Sequence, residues 1–206
     1  NLQNRKISIT PFIFIMLATL VALAIIFISF AQGYRMTVKY SGLIDASMEI
    51  KLEATYAHLW FEEIMSGDEK ESIDKVKNHL EKSVWYANAM LNGGENDEVS
   101  FIPLEESSIR ELIEEVLAEL AIFKSLTTQR HENFVNASPG SELDIQYDEN
   151  FHRFIKLADI AGNALKSLVS QELSDFKKIH YLMVLSVIAM AIILSVLAWR
   201  HEQRYV

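Results

Sequence analysis

The stretch PFIFIMLATLVALAIIFISFAQ, residues 11–32, decides the fold, and IHYLMVLSVIAMAIILSVLAW, residues 179–199, repeats its character near the other end. The first run lies in an uncharged segment from residue 7 to 34, and the second run contains no Asp, Glu, Lys or Arg and one histidine, His180. A helix rises about 1.5 Å per residue, so roughly 20 apolar residues cross the hydrocarbon core of a bilayer. Both runs reach that length. The sequence therefore predicts two transmembrane helices, over residues 9–32 and 179–199.

A signal peptide or a soluble core helix fits these apolar runs less well. A cleaved signal peptide accounts for the first run alone, which is longer than a typical h-region and lacks a small-residue cleavage site. A helix in a soluble core rarely needs more than 20 unbroken apolar residues. We therefore expect residues 33–178 to form one domain between the two spans. The basic residues near the membrane edges are equal in number on both sides and do not set the orientation, and we place this domain outside the cytoplasm with both ends of the chain inside. Residues 1–8 form a cytoplasmic flank in this interpretation, and residues 200–206 begin a cytoplasmic linker to a further domain.

The charge of the central segment limits its partners. Residues 33–178 contain 15 Lys and Arg against 27 Asp and Glu, a net charge of −12. Phosphate backbones are bound by clustered Lys and Arg, so we expect no nucleic-acid partner. The chain has no cysteine, which excludes disulfides and thiolate metal ligands.

The first helix is expected to continue well beyond the first span. Residues 36–65 contain no proline, and Gly42 is their only glycine. Apolar residues recur at nearly helical spacing in this segment, which predicts a core-facing stripe. The residues of this predicted stripe are Met48, Leu52 and Leu59.

Three more helical patterns follow. Capping-box patterns at Asp68–Glu71 and Ser108–Glu111 predict the starts of the second and third helices, and the fourth is expected near Asp144. Turn residues separate the helices at Gly67, at 92–94 and at 136–140. The apolar stripe of the third helix comprises Ile109, Ile113, Val116, Leu120 and Phe123. Short connections predict an all-α, up-down-up-down four-helix bundle whose first and fourth helices continue into the spans.

This layout resembles the four-helix-bundle input modules of bacterial transmembrane receptors. The stretches LIDASMEIKLEATYAHLWFEEIMSGD and VWYANAMLNGGEN, residues 43–68 and 84–96, are similar to N-terminal regions of chemoreceptors, sensor histidine kinases and diguanylate cyclases. The resemblance implies a homodimer in the bacterial inner membrane, with its central domain in the periplasm or outside the cell. It also implies a small-molecule or protein ligand and a separate cytoplasmic output domain, such as a histidine kinase.

A polar cluster at the membrane-distal end of the bundle is the predicted ligand site. At about 1.5 Å per residue, His58 and His152 lie roughly 37 and 39 Å beyond the membrane edges, on neighbouring helices. Glu62 lies one turn after His58, on the same face. Arg130 falls on the core stripe of the third helix, and His131 and Arg153 belong to the same end of the bundle. Such Arg and His donors suit an anionic group.

Two alternatives to this site remain. The charged residues can form ordinary surface ion pairs, each contributing less than about 1 kcal/mol. Four aromatic residues can line a pocket instead, although aromatic residues at helical spacing are also typical of core or dimer contacts. These residues are Trp60, Phe61, Trp85 and Tyr86.

The sequence offers no catalytic residues. A di-iron bundle enzyme needs two Glu-x-x-His pairs, and only Glu149–His152 fits. His58 and Glu62 supply two metal ligands where three or four are needed, so we expect no metal site and no cofactor. The alternative function, from a different class, is a non-sensory interaction or dimerisation subunit that docks another membrane protein.

Overall fold

The computed structural model describes residues 10–67, 71–97 and 99–203, and 86% of them are helical. The all-α prediction is confirmed. Four long helices and a two-residue strand pair make up the described chain. They are α1 (Thr10–Met65), α2 (Ile73–Asn92), β1 (Gly94–Glu95), β2 (Ser100–Phe101), α3 (Ser107–Glu132) and α4 (Glu142–Gln203).

The chain divides into two compact units. One comprises Val38–Val169, and we call it the helical unit. The other comprises the chain up to Thr37 and from Ser170, and we call it the apolar unit. The helices α1 and α4, of 56 and 62 residues, contribute to both units without a break.

Each helix of the helical unit is antiparallel to the next, and α4 is antiparallel to α1. For each pair of neighbouring helices, two contacts show the direction. The contact made by the later residue of one helix goes to the earlier residue of the other. These contacts are Ile50–Ser83 and Glu53–His79, Glu81–Lys124 and Leu91–Arg110, Arg130–Asp144 and Glu119–Asn150, and Lys51–Asp159 and His58–Asp148.

The buried face of α1 differs from the predicted one. Met48, Leu52 and Leu59 are 52%, 43% and 46% exposed. Three alanines on the opposite side allow the neighbouring helices to approach closely, and larger side chains between them fill the core. The least exposed residues of this face, each at most 2% exposed, are Leu43, Ala46, Ile50, Ala54, Ala57 and Phe61. The predicted stripe of α3, by contrast, is buried throughout.

The helix starts also differ in detail from the predicted ones. Ser72 caps α2 by accepting a hydrogen bond from the Lys75 amide; the predicted cap Asp68 lies outside the described residues. The prediction of Ser108 as the cap of α3 is wrong, because that helix already begins at Ser107. At α4 the Ser141 hydroxyl accepts from the Asp144 amide at 3.2 Å, and the helix begins at Glu142.

The connection from α2 to α3 contains a small antiparallel hairpin that the sequence pattern does not predict. Its turn is closed by Asn96, whose side-chain oxygen accepts from the Val99 amide at 2.7 Å. Gly42 of α1 gives the hairpin room, because a Cβ there would lie 3.3 Å from the Ser100 carbonyl oxygen. Gly93 adopts φ +80°, which permits the sharp exit from α2.

The apolar unit exposes its side chains. Only 6% of the most apolar 18 residues of α1 and 0% of those of α4 are buried within the protein, although both helices are long enough to span a membrane. A soluble core helix would be covered by its own chain, so this exposure favours membrane spans. Within this unit the two helices meet where Ser29 Oγ lies 2.7 Å from His180 Nδ1, and where Phe176 packs on Gly33.

Candidate functional site

A buried arginine links three helices in the helical unit. Arg130 of α3 is fully buried. Its Nη1 donates to Glu62 Oε1 of α1 at 2.6 Å, and its Nη2 donates to Asp144 Oδ1 of α4 at 2.5 Å. Its guanidinium carbon lies 4.6 Å from the centre of the Tyr147 ring and 5.3 Å from that of Phe61. Because removing one partner of a buried ion pair is costly, this contact fixes α1, α3 and α4 relative to one another.

Asp144 is held from two sides. Its second carboxylate oxygen accepts a hydrogen bond from the Gly140 amide at 2.7 Å. The turn before α4 therefore orients the carboxylate that receives Arg130.

His58 lies one helical turn before Glu62 on α1 and faces α4. Its imidazole stacks on Phe151, with ring centres 4.1 Å apart, and on Tyr147 at 5.3 Å. Its Nε2 lies 3.4 Å from Asp148 Oδ1, which is longer than a strong charged hydrogen bond. The ring plane is therefore set by aromatic packing more than by the carboxylate.

Burial lowers the pKa of His58 below its ordinary value of 6.5. The hydrogen bond to Asp148 and the charges of Glu62 and Asp148 oppose that change, and the charge of Arg130 adds to it. At neutral pH the imidazole is therefore uncharged, with a nitrogen lone pair available.

His58, Glu62 and Asp148 form a group in which one ligand atom from each residue lies within 4.8 Å of the others. All three residues are half-buried. Near them Arg130 donates to the carboxylates of Glu62 and Asp144, and a third carboxylate, that of Asp148, lies 3.4 Å from His58 Nε2. With His58 neutral, this local group carries a net charge of −2.

Tyr147 closes the aromatic side of the site. Burial raises the pKa of its hydroxyl well above the ordinary value of 10.0. The hydroxyl makes no hydrogen bond of good geometry, although the Thr127 side chain lies close enough to interact with it. Tyr147 is therefore a neutral structural ring that supports both His58 and Arg130.

Three of the six predicted ligand residues do not join this group. His152 is exposed, and its Nδ1 lies 2.7 Å from the Asp148 carbonyl oxygen of its own helix. Arg153 Nε lies 3.6 Å from Glu119. His131 is half-buried, with its Nδ1 lacking a hydrogen-bond partner. Across the described ranges, no hydrogen bond or ion pair joins these three residues to His58 or Arg130.

Two residues of the site, Asp144 and Asp148, were not predicted. They lie four residues apart on one face of α4, as His58 and Glu62 do on the antiparallel α1. Two such spacings on neighbouring helices are the pattern that could have identified them.

The four aromatic residues considered as a pocket lie in three different surroundings. Phe61 is in the core. Trp60 lies under the Lys75 ammonium, with the nitrogen 3.4 Å from the ring centre. Trp85 and Tyr86 pack edge-on against each other, and both contact Phe101 of β2.

Comparisons of the chain with protein-family models, with curated proteins and with solved structures gave no match.

Proposed function

We propose that the chain is the input module of a transmembrane signal receptor. In this proposal α1 and α4 cross a bacterial inner membrane, and residues 33–178 form an up-down-up-down four-helix bundle on the periplasmic or outer side. A small-molecule or protein ligand binds the bundle. Catalysis belongs to a cytoplasmic output domain, such as a histidine kinase.

The uninterrupted length of α1 and α4 carries this proposal. Each helix runs from exposed apolar sequence into a packed unit without a break. A continuous helix transmits axial or rotational displacement along its length, because its backbone hydrogen bonds resist local bending. A ligand that favours one packing of α1 against α4 would then change the position of both helix ends.

The Arg130 group is the element most suited to control that packing. Its hydrogen bonds connect α1 and α4 through α3, so a ligand that alters the charge near Glu62 changes the relative stability of two helix arrangements. In this proposal the ligand acts on the same two helices, α1 and α4, that cross the membrane.

A disulfide lock between α1 and α4 tests the proposal. A Cβ on Gly162 would lie 3.1 Å from Ser47 Oγ, a spacing suited to a bridge whose Cβ atoms are about 3.5–4.5 Å apart. The chain has no cysteine, so Ser47→Cys with Gly162→Cys gives one defined pair. Residues 1–206 are fused to a histidine kinase output domain, and autophosphorylation is measured in membranes before and after oxidation.

We expect oxidation to change kinase output severalfold and a reductant to reverse the change, because the bridge selects one α1–α4 packing. The two single-cysteine variants are the controls, and increased gel mobility reports the closed loop. A fully bridged chain with unchanged output would contradict the receptor proposal. It would favour the non-sensory interaction subunit, for which displacement of α4 has no consequence.

Topology is tested separately. With single cysteines at residue 96 and at each terminus, we expect a membrane-impermeant maleimide to label residue 96 from outside and neither end. Labelling of all three positions from one side would contradict two spans.

We also propose that the receptor is a homodimer with α1 near its two-fold axis. Four exposed apolar residues follow one face of α1 at intervals of four, four and three, and they offer contact area for a second copy. They are Met48, Leu52, Tyr56 and Leu59. Single cysteines at these positions should cross-link between copies, whereas a cysteine at the exposed Asn78 of α2 should not. Equal cross-linking at all positions would contradict the dimer axis.

A further inference from the structure

We propose that His58, Glu62 and Asp148 bind a divalent transition-metal ion, with Zn²⁺ as the representative probe. Binding itself does not depend on the receptor proposal. Only the role of the ion as a stimulus rests on that function.

The spacing of the ligand atoms supports a metal site. Two ligands at about 2.0–2.2 Å from a tetrahedral Zn²⁺ are roughly 3.3–3.6 Å from each other. His58 Nε2 and Asp148 Oδ1 are 3.4 Å apart. The third ligand atom, from Glu62, lies within 4.8 Å of both, so a small side-chain rotation brings all three onto one ion.

Neighbouring side chains hold two of the three ligands, His58 and Glu62, in position. Phe151 and Tyr147 hold the His58 ring plane. Arg130 Nη1 binds one oxygen of Glu62 and leaves the other oxygen for the ion. Such outer contacts reduce the reorganisation that binding requires.

The charge of the site favours a cation over an anion. Both Nη atoms of Arg130 already donate to carboxylates, and Asp148 faces His58. The two carboxylate ligands, Glu62 and Asp148, match the charge of one divalent ion. The predicted anionic ligand would instead meet three carboxylates and a guanidinium that is fully buried.

The ligand set points to Zn²⁺ and its neighbours in the first transition row. One imidazole and two carboxylates suit these ions, whereas Mg²⁺ and Ca²⁺ prefer sites with oxygen ligands alone. The Glu62 and Asp148 side chains are 37% and 50% exposed, which gives the ion a path to the site and allows water as a fourth ligand.

Isothermal titration of the full chain in detergent, with Zn²⁺ and separately with Mg²⁺, tests the site. We expect one Zn²⁺ per chain and no measurable binding of Mg²⁺. His58→Phe retains an aromatic ring in the stack, and Asp148→Asn retains the shape of a half-exposed side chain. Each variant should weaken Zn²⁺ binding at least tenfold. His152→Phe, at an exposed position of α4, is the matched control and should bind Zn²⁺ as the parent does.

Bound Co²⁺ gives a second measurement, since its visible absorption is stronger in tetrahedral than in octahedral sites. We expect intense bands in the parent and their loss in Asp148→Asn, with circular dichroism confirming that the variant is folded. A parent that binds no Zn²⁺, or variants that bind it as the parent does, would overturn the proposal. Because binding is measured without an output domain, a failed disulfide-lock experiment leaves this result unaffected.

Discussion

Two histidine–carboxylate pairs join neighbouring helices in the helical unit and differ in their surroundings. His79 of α2 hydrogen-bonds through Nδ1 to the buried carboxylate of Glu53 on α1, and Lys82 adds a cation 3.7 Å from the same residue. His58 of α1 lies 3.4 Å from Asp148 of α4, beside the further carboxylates of Glu62 and Asp144.

The two pairs differ in how far neighbouring side chains neutralise the charge of the carboxylates. Glu53 has a direct hydrogen bond and a nearby ammonium, so its charge is satisfied inside the protein. Around His58, the guanidinium of Arg130 pairs with Glu62 and Asp144, while Asp148 faces the imidazole at 3.4 Å. A carboxylate that is neutralised within the protein stabilises a helix contact. Carboxylates with excess negative charge, spaced as metal ligands are, can instead bind a cation.

The largest expected effect comes from removing the buried cation of the second group. Arg130→Met keeps much of the length of the side chain but leaves Glu62 and Asp144 close together without a counter-charge. We expect a loss of about 3–5 kcal/mol in the free energy of unfolding. The measurement is chemical unfolding in detergent, followed by tryptophan fluorescence.

Arg153→Met is the matched control. The Arg153 side chain is 54% exposed and its ion pair with Glu119 spans 3.6 Å, so its removal should cost less than about 1 kcal/mol. Similar losses for the two variants would mean that Arg130 is not the central charge of the group.

A smaller effect is expected from the satisfied pair. Glu53→Gln replaces a charged hydrogen bond to His79 with a neutral one, and we expect a loss of about 1–3 kcal/mol. Glu81→Gln is the control, because its carboxylate is 66% exposed and lies 3.6 Å from Lys124. Neither change should alter Zn²⁺ affinity. Weakened Zn²⁺ binding in Glu53→Gln would contradict the conclusion that Zn²⁺ binds at the His58 group and not at the His79–Glu53 pair.

The sequence predicts the parts of this molecule that depend on local pattern. The continuation of both apolar runs into long helices and the buried stripe of α3 follow from hydrophobic periodicity alone. Arg130 was placed on that stripe by its spacing, and it is fully buried. The predicted face of α1 is wrong because hydrophobicity ranks Leu and Met above Ala, whereas close helix packing favours the small residues Ala46, Ala54 and Ala57.

What the sequence does not predict depends on contacts between distant segments. The hairpin needs Gly42 of α1 beneath it, and no local pattern reveals that contact. Counting residues from the membrane edges places His152 level with His58, but Asp148 occupies that level in the structure. The predicted and observed residues are four positions apart, which is one helical turn or about 6 Å along the helix. Both lie on the same face of α4.

The smallest expected effect is a dependence of stability on pH that arises from His58. Burial lowers the pKa of His58, while Asp148 and Glu62 oppose the change and Arg130 adds to it. The unfolded chain, with a His pKa of 6.5, therefore takes up a proton at higher pH than the folded chain does. Stability from this residue is present above pH 6.5 and is lost as the pH falls from there towards the lower pKa of the folded state. Because the His58 side chain is still 24% exposed, we rank this effect below the other two. The melting temperature measured between pH 8 and pH 5 should fall less steeply in His58→Phe than in the parent. If His58→Phe keeps the full slope, the pKa of His58 does not differ between the folded and the unfolded chain, and the pH dependence comes from other groups.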